Sequence, residues 1–158
     1  MKLGGKGNFR GTAILKVQDA TGRKEAWELE ADGAGNFEVI IMPPLRFPFT
    51  AELTKPGYLG EVRRFAAEGK TGDAWEIFPG DVDADGVIDV TDVALVTHFA
   101  RPALNDEERF SKGLTLPPRF RDVNEYTCDL DGDGAVGAAD VKLAVSNKGR
   151  RLRRIGFP

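Results

Sequence analysis

Two stretches decide how this chain is read: "GDVDADGVIDVTD" (80–92) and "CDLDGDGAVGAAD" (128–140). Each places acids on alternate residues ahead of a glycine, and each ends on an aspartate. Carboxylates crowded in this way repel one another more strongly the closer they come. Something must hold them together, whether water, a basic side chain or a cation. With Asp81 as position 1, acids fall at 1, 3, 5, 9 and 12, namely Asp81, Asp83, Asp85, Asp89 and Asp92, and Gly86 stands at 6. With Asp129 as position 1, Asp131, Asp133 and Asp140 stand at 3, 5 and 12, and Gly134 at 6. Two repeats agreeing in this way argue against a merely solvated acidic turn.

The spacing is that of an EF-hand calcium loop, with side-chain oxygens at 1, 3, 5 and 12 and a backbone carbonyl at 7, here Val87 and Ala135. Alternate residues of a tight loop point their oxygens at one centre, and the glycine permits the sharp bend. Two calcium ions are therefore expected. Calcium accepts many oxygens in a flexible arrangement, whereas magnesium demands a small octahedron and retains water. Position 9 is Asp89 in the first loop but Gly137 in the second, so the first should bind more tightly. Two departures matter. Position 12 is aspartate where the common motif has glutamate, and "WEIFPG" ahead of loop 1 reads as strand and turn, so no helix enters it.

Composition limits the remaining possibilities. The chain has 158 residues and a formal net charge of -3, which argues against general nucleic-acid binding. Nine of its acids lie inside the two repeats, so the rest is mildly basic. One cysteine, Cys128, and one histidine give neither an internal disulfide nor a zinc set. Cys128 reads as a small core residue rather than a reactive thiol. No apolar run approaches the ~20 residues of a membrane helix, so no membrane insertion is expected. The opening "MKLGGKGNFRG" carries no hydrophobic signal-peptide core.

Before Pro79 the chain reads as strands at 12–17, 25–31, 36–42, 49–55, 61–67 and 74–78, broken by glycine, proline and aspartate turns. "ADGAGNF" supplies a hairpin turn, and "MPPLRFPF" must be loop or edge. Alternation puts Trp27 with Leu29, and Trp75 with Ile77, on core-facing sides. Tyr58 in "KPGYLG" is the remaining candidate for an exposed ring, or else a loop plug. After Pro79, "VTDVALVTHFA" (90–100) and "GAADVKLAVSNK" (137–148) have helical spacing, with a short helix expected near 105–112. The expected fold is thus two domains: an all-β immunoglobulin-like sandwich over 1–79, then a small all-α module over 80–158. Only Pro79 and Gly80 join them, so a fixed relation is expected.

A duplicated loop-plus-helix with aspartate at 12, opening on "GDVDADGVIDVTD", resembles the dockerin family over about 80–149. The resemblance implies a calcium-dependent module that docks a larger secreted or cell-surface protein onto a cohesin domain, as in cellulosomes, and is a monomer when free. It implies that Ile88 and Val136, at position 8, pair the loops back to back. Recognition would fall on Val90, Thr91, Thr97, His98 and Pro102 in the first repeat and on Ala138, Ala139, Val145, Ser146 and Arg150 in the second. The bland reading of His98 is a half-exposed polar residue. The distance between repeats is longer than the family usually shows. "GNFEVIIMPP" followed by "KPGYLG" more weakly resembles immunoglobulin-like or carboxypeptidase-regulatory-like sandwiches, which occur beside dockerins as bracing X-modules. The basic tail "KGRRLRRIGFP" reads as a solvated end, or as a clasp with Phe157 on an apolar patch.

The alternative from another class is a calcium-stabilised carbohydrate-binding module, which inward-facing tryptophans disfavour. An enzyme is disfavoured as well. Hydrolysis by paired carboxylates needs acids free to change protonation, and the clustered acids here are committed to metal.

Overall fold

The computed structural model describes residues 2–6, 9, 11–42, 44–66, 74–100 and 116–156. The expected helix near 105–112, Pro102 and Phe157 lie outside them. The chain packs into two compact units that interleave in sequence. One holds residues 1–55, 60–77 and 152–158; the other holds 56–59 and 78–151.

The first unit contains β1 (Lys2–Lys6), β2 (Gly11–Gln18), β3 (Lys24–Ala31), β4 (Asn36–Ile40) and β5 (Phe49–Lys55). β2 and β5 alternate, burying Ala13, Leu15, Val17, Phe49, Ala51 and Leu53 while Lys16 and Gln18 face water. This is the period-two pattern of a sheet with one covered face. Trp75 is 1% exposed and packs beside Phe37, their ring centroids 6.4 Å apart, so it is core as expected. Trp27 opposes Leu15 across the β2–β3 pair but is only half-buried. The turn after β3 forms, with Asp32 accepting the amides of Ala34 and Asn36 at 2.8 Å. Its flanking strands take different partners, however. β3 pairs with β2, whereas β4 pairs with β1 in a separate two-stranded sheet.

The larger sheet runs β3-β2-β5-β6-β7, where β6 is Tyr58–Phe65 and β7 is Phe78–Pro79, and β8 (Arg153–Ile155) pairs parallel to β6. This corrects the expected fold. Among the described residues the chain is mostly β on a mixed six-stranded sheet, with three short α-helices, and not an all-β sandwich followed by an all-α module. The reason lies in β6. An edge strand leaves a row of unpaired N–H and C=O groups, and here β7 takes up Tyr58 and Leu59 while β8 takes up Glu61 to Arg63. β6 therefore gives residues to both units. The basic tail is correspondingly not just a solvated end.

The second unit carries α1 (Val90–Phe99), a 3-10 turn (Pro118–Phe120), α2 (Glu125–Cys128) and α3 (Ala138–Asn147). Its core gathers Val82, Leu95, Val96, Phe120, Val123, Cys128, Leu130 and Ala144. Val93, Phe99, Val136 and Val141 pack against it. Cys128 is fully buried, and burial pushes its thiol up to about 12, as an inert core residue requires.

Candidate metal centre

Asp81, Asp83 and Asp85 bring one carboxylate oxygen each within 4.8 Å of one another, and Asp129, Asp131 and Asp133 do the same. Backbone amides of each loop fix this convergence. Asp81 accepts from Asp85 N and Gly86 N at 3.1 and 3.2 Å, and Asp85 accepts from Val87 N at 2.8 Å. The second loop repeats every one of these bonds: Asp129 accepts from Asp133 N and Gly134 N at 3.2 and 2.9 Å, and Asp133 from Ala135 N at 2.9 Å. Val87 and Ala135, expected as carbonyl ligands, thus meet the clusters through their amides.

The acids at position 12 close each loop onto its helix. Buried Asp92 accepts from Val82 N at 2.9 Å and Asp89 N at 2.8 Å. Buried Asp140 accepts from Leu130 N and Gly137 N, both at 2.7 Å. Asp89 caps α1, receiving Thr91 N at 2.6 Å, and that bond holds its carboxyl below the usual range. The structure therefore gathers positions 1, 3 and 5 as a cluster, and shows 9 and 12 bound to backbone. Position 9 of the second loop, Gly137, caps α3 without a side chain.

Crowding has a cost that appears in acidity. Burial, then Asp92 and Asp85, push the Asp81 carboxyl up to about 7. Asp83 and Asp92 are raised as well, each chiefly by burial, and exposed Asp131 by partial desolvation. Carboxyls whose ionisation is disfavoured in this way, Asp81 above all, are donors that a hard cation relieves. The two loops differ in shelter at positions 1 and 3: Asp81 is buried and Asp129 half-buried, Asp83 half-buried and Asp131 exposed, whereas position 5 is exposed in both.

The residues expected to meet a partner lie on α1, on α3 and just beyond it. Val90 (67%) and Val145 (51%) are exposed apolar groups, and Thr97, Ala138, Ala139, Ser146 and Arg150 are exposed too. Thr91 and His98 are half-buried. The Thr97 hydroxyl donates to Val93 O at 2.6 Å and that of Ser146 to Leu143 O at 2.9 Å, so both already bond their own helix.

Two features escaped sequence reasoning. The position-8 backbone of Ile88 bonds Arg150 and Gly149 at 3.0 and 2.7 Å. A bridge between Val87 and Arg151 continues this contact. Tyr58, read as an exposed ring or a loop plug, donates its hydroxyl to Leu130 O at 2.7 Å, inside the second loop. Burial and then Asp129, Asp131 and Asp140 raise its phenol. The only sequence signal was the glycine before it.

No protein-family model matches the chain, and no curated protein matches it. Solved structures do. One is a C-terminal interface mutant of a type II cohesin–X-dockerin complex from Acetivibrio cellulolyticus, 20% identical, with a TM-score of 0.56 over 96% of this chain and 97% of that chain. An N-terminal interface mutant of the type II complex from the same organism is 18% identical, with a TM-score of 0.54 and the same coverage. The likeness is one of fold. It extends over nearly the whole chain.

Proposed function

We propose that the chain is a non-catalytic, calcium-dependent assembly module that docks a larger secreted or cell-surface protein onto a cohesin domain. The observation that carries this reading is the bond-for-bond repetition of two acidic loops, in a chain whose fold is that of cohesin–X-dockerin structures. Asp81, Asp83, Asp85 and Asp92 would hold one calcium ion and Asp129, Asp131, Asp133 and Asp140 the other. Each ion would supply positive charge to groups that otherwise repel. The protein residues do the rest: loop amides aim the carboxylates, and position 12 ties the loop to the helix whose outer face meets the partner. Val90, Val145 and their neighbours offer that face. No helix among the described residues is long and apolar enough to cross a membrane. The carbohydrate-binding alternative gains nothing from the tryptophans, since Trp75 is core and Trp27 half-buried.

The test is calcium titration of the full chain by calorimetry, followed by capture of cohesin domains with calcium and with excess chelator. Two binding events and chelator-sensitive capture are expected. A chain that takes up no calcium, or captures cohesin equally well in chelator, would overturn the reading.

A further inference from the structure

We infer that Tyr58 is a positioning residue of the second cation loop, and that the short segment Pro56–Leu59 forms part of that site. The inference rests on the cation reading above and concerns a residue outside both acidic repeats. Pro56–Leu59 belongs to the unit that carries the loops, although the rest of β6 lies in the other unit. The Tyr58 hydroxyl donates to Leu130 O at 2.7 Å, between Asp129 and Asp131 in the sequence. Leu130 N donates to Asp140 Oδ1 at 2.7 Å. Leu130 is thus held at both its amide and its carbonyl, and the carboxylates on either side inherit that constraint. Gly57 makes the approach possible. A Cβ there would fall 2.1 Å from Thr127 O and 3.2 Å from a Leu130 methyl, and its φ is +74°.

Loop 1 has no equivalent among the described residues. Its counterpart of Leu130 is Val82, whose amide reaches Asp92 Oδ1 at 2.9 Å, but no side-chain hydroxyl meets its carbonyl. The asymmetry falls on the loop that needs it. Loop 2 has a half-buried acid at 1, an exposed acid at 3 and glycine at 9, where loop 1 has a buried acid, a half-buried acid and Asp89, so an external tether offsets part of the flexibility that would otherwise oppose convergence.

The experiment places Tyr58→Phe in three backgrounds: the full chain, a loop 1 knockout (Asp85→Ala) and a loop 2 knockout (Asp133→Ala). Calcium affinity is measured by calorimetry in each. Removing the hydroxyl while keeping the ring should weaken loop 2 about three- to tenfold, visible in the full chain and in Asp85→Ala. It should leave the loop 1 affinity that remains in Asp133→Ala unchanged, which separates positioning from general destabilisation. Tyr126→Phe, an exposed tyrosine of α2, should change neither. Unaltered loop 2 affinity in Tyr58→Phe, or equal weakening of both loops, overturns the inference while leaving the cation reading intact. A parent chain that binds no calcium overturns both.

Discussion

Position 4 of the two loops shows how a single residue sets local strain. Ala84 adopts φ 59 and Gly132 φ 77, both left-handed. That region is costly for a residue with a Cβ. No atom lies within 4 Å of where a Gly132 Cβ would sit, so Gly132→Ala should destabilise by backbone strain alone, about 1 kcal/mol. Chemical denaturation would measure it; a loss above about 3 kcal/mol would mean that the loop has rearranged. Asp81 supplies the second residue-scale prediction. Its folded-state carboxyl, at about 7, lies above the ordinary value of 3.8, so proton uptake favours the folded calcium-free chain. That contribution is full below about pH 4 and is lost as pH rises through about 7. Asp83, Asp92 and Asp131 act in the same direction. In excess chelator the melting temperature should therefore fall from about pH 5 to about pH 8, while loop 1 calcium affinity rises as the competing proton leaves. A melting temperature that climbs over this range would contradict the assignment.

Among the elements, β6 has the most to hold together. Glu61, fully buried, accepts Arg63 Nε at 2.8 Å and Glu76 N at 2.6 Å. Arg63 also bonds Ala74 O and lies 4.3 Å over the Trp75 ring. This pair fastens the irregular 74–77 segment to the strand. Removing one partner of a buried pair strands the other charge, so Glu61→Ala should cost about 3–5 kcal/mol. Arg153 of β8 pairs with Glu76 with both side chains about half exposed (51% and 50%), so Arg153→Ala should cost less than about 1 kcal/mol. Urea denaturation of both variants tests the contrast, and comparable losses would refute it.

For the whole molecule, the duplicated loops raise the question of whether a partner can bind in two orientations related by a half-turn. Chemistry at matching positions argues against it: Thr91 stands where the second repeat has Ala139, Thr97 where it has Val145, and His98 where it has Ser146. A half-turn would exchange polar for apolar groups, and each buried polar group left unsatisfied costs about 1–3 kcal/mol. One orientation, dominated by one helix, is expected. If α1 dominates, Thr97→Ala with His98→Ala should cripple cohesin capture and spare calcium affinity; Val145→Asp with Ser146→Asp tests α3. If each pair alone is harmless and only the combination abolishes capture, the two faces are interchangeable.

The sequence by itself determined the local features. Acids at 1, 3 and 5 converge because a tight loop turns alternate residues the same way, and β2 and β5 alternate because one face of the sheet is covered. The core fate of Trp75 was legible for the same reason, since alternation is a short-range signal, and that of Cys128 from the usual burial of a free cysteine. Tertiary structure decided what depends on partners far apart in the chain. The expected split into an all-β and an all-α domain failed because β6 offers an edge that β7 and β8 fill, and nothing in "RRI" marks it as a strand. Ile88 bonding Gly149 and Arg150, and Tyr58 reaching Leu130, are likewise unmarked. A backbone amide or a phenol hydroxyl can bond any carbonyl brought within reach, so the choice of carbonyl belongs to the packing and not to the residue.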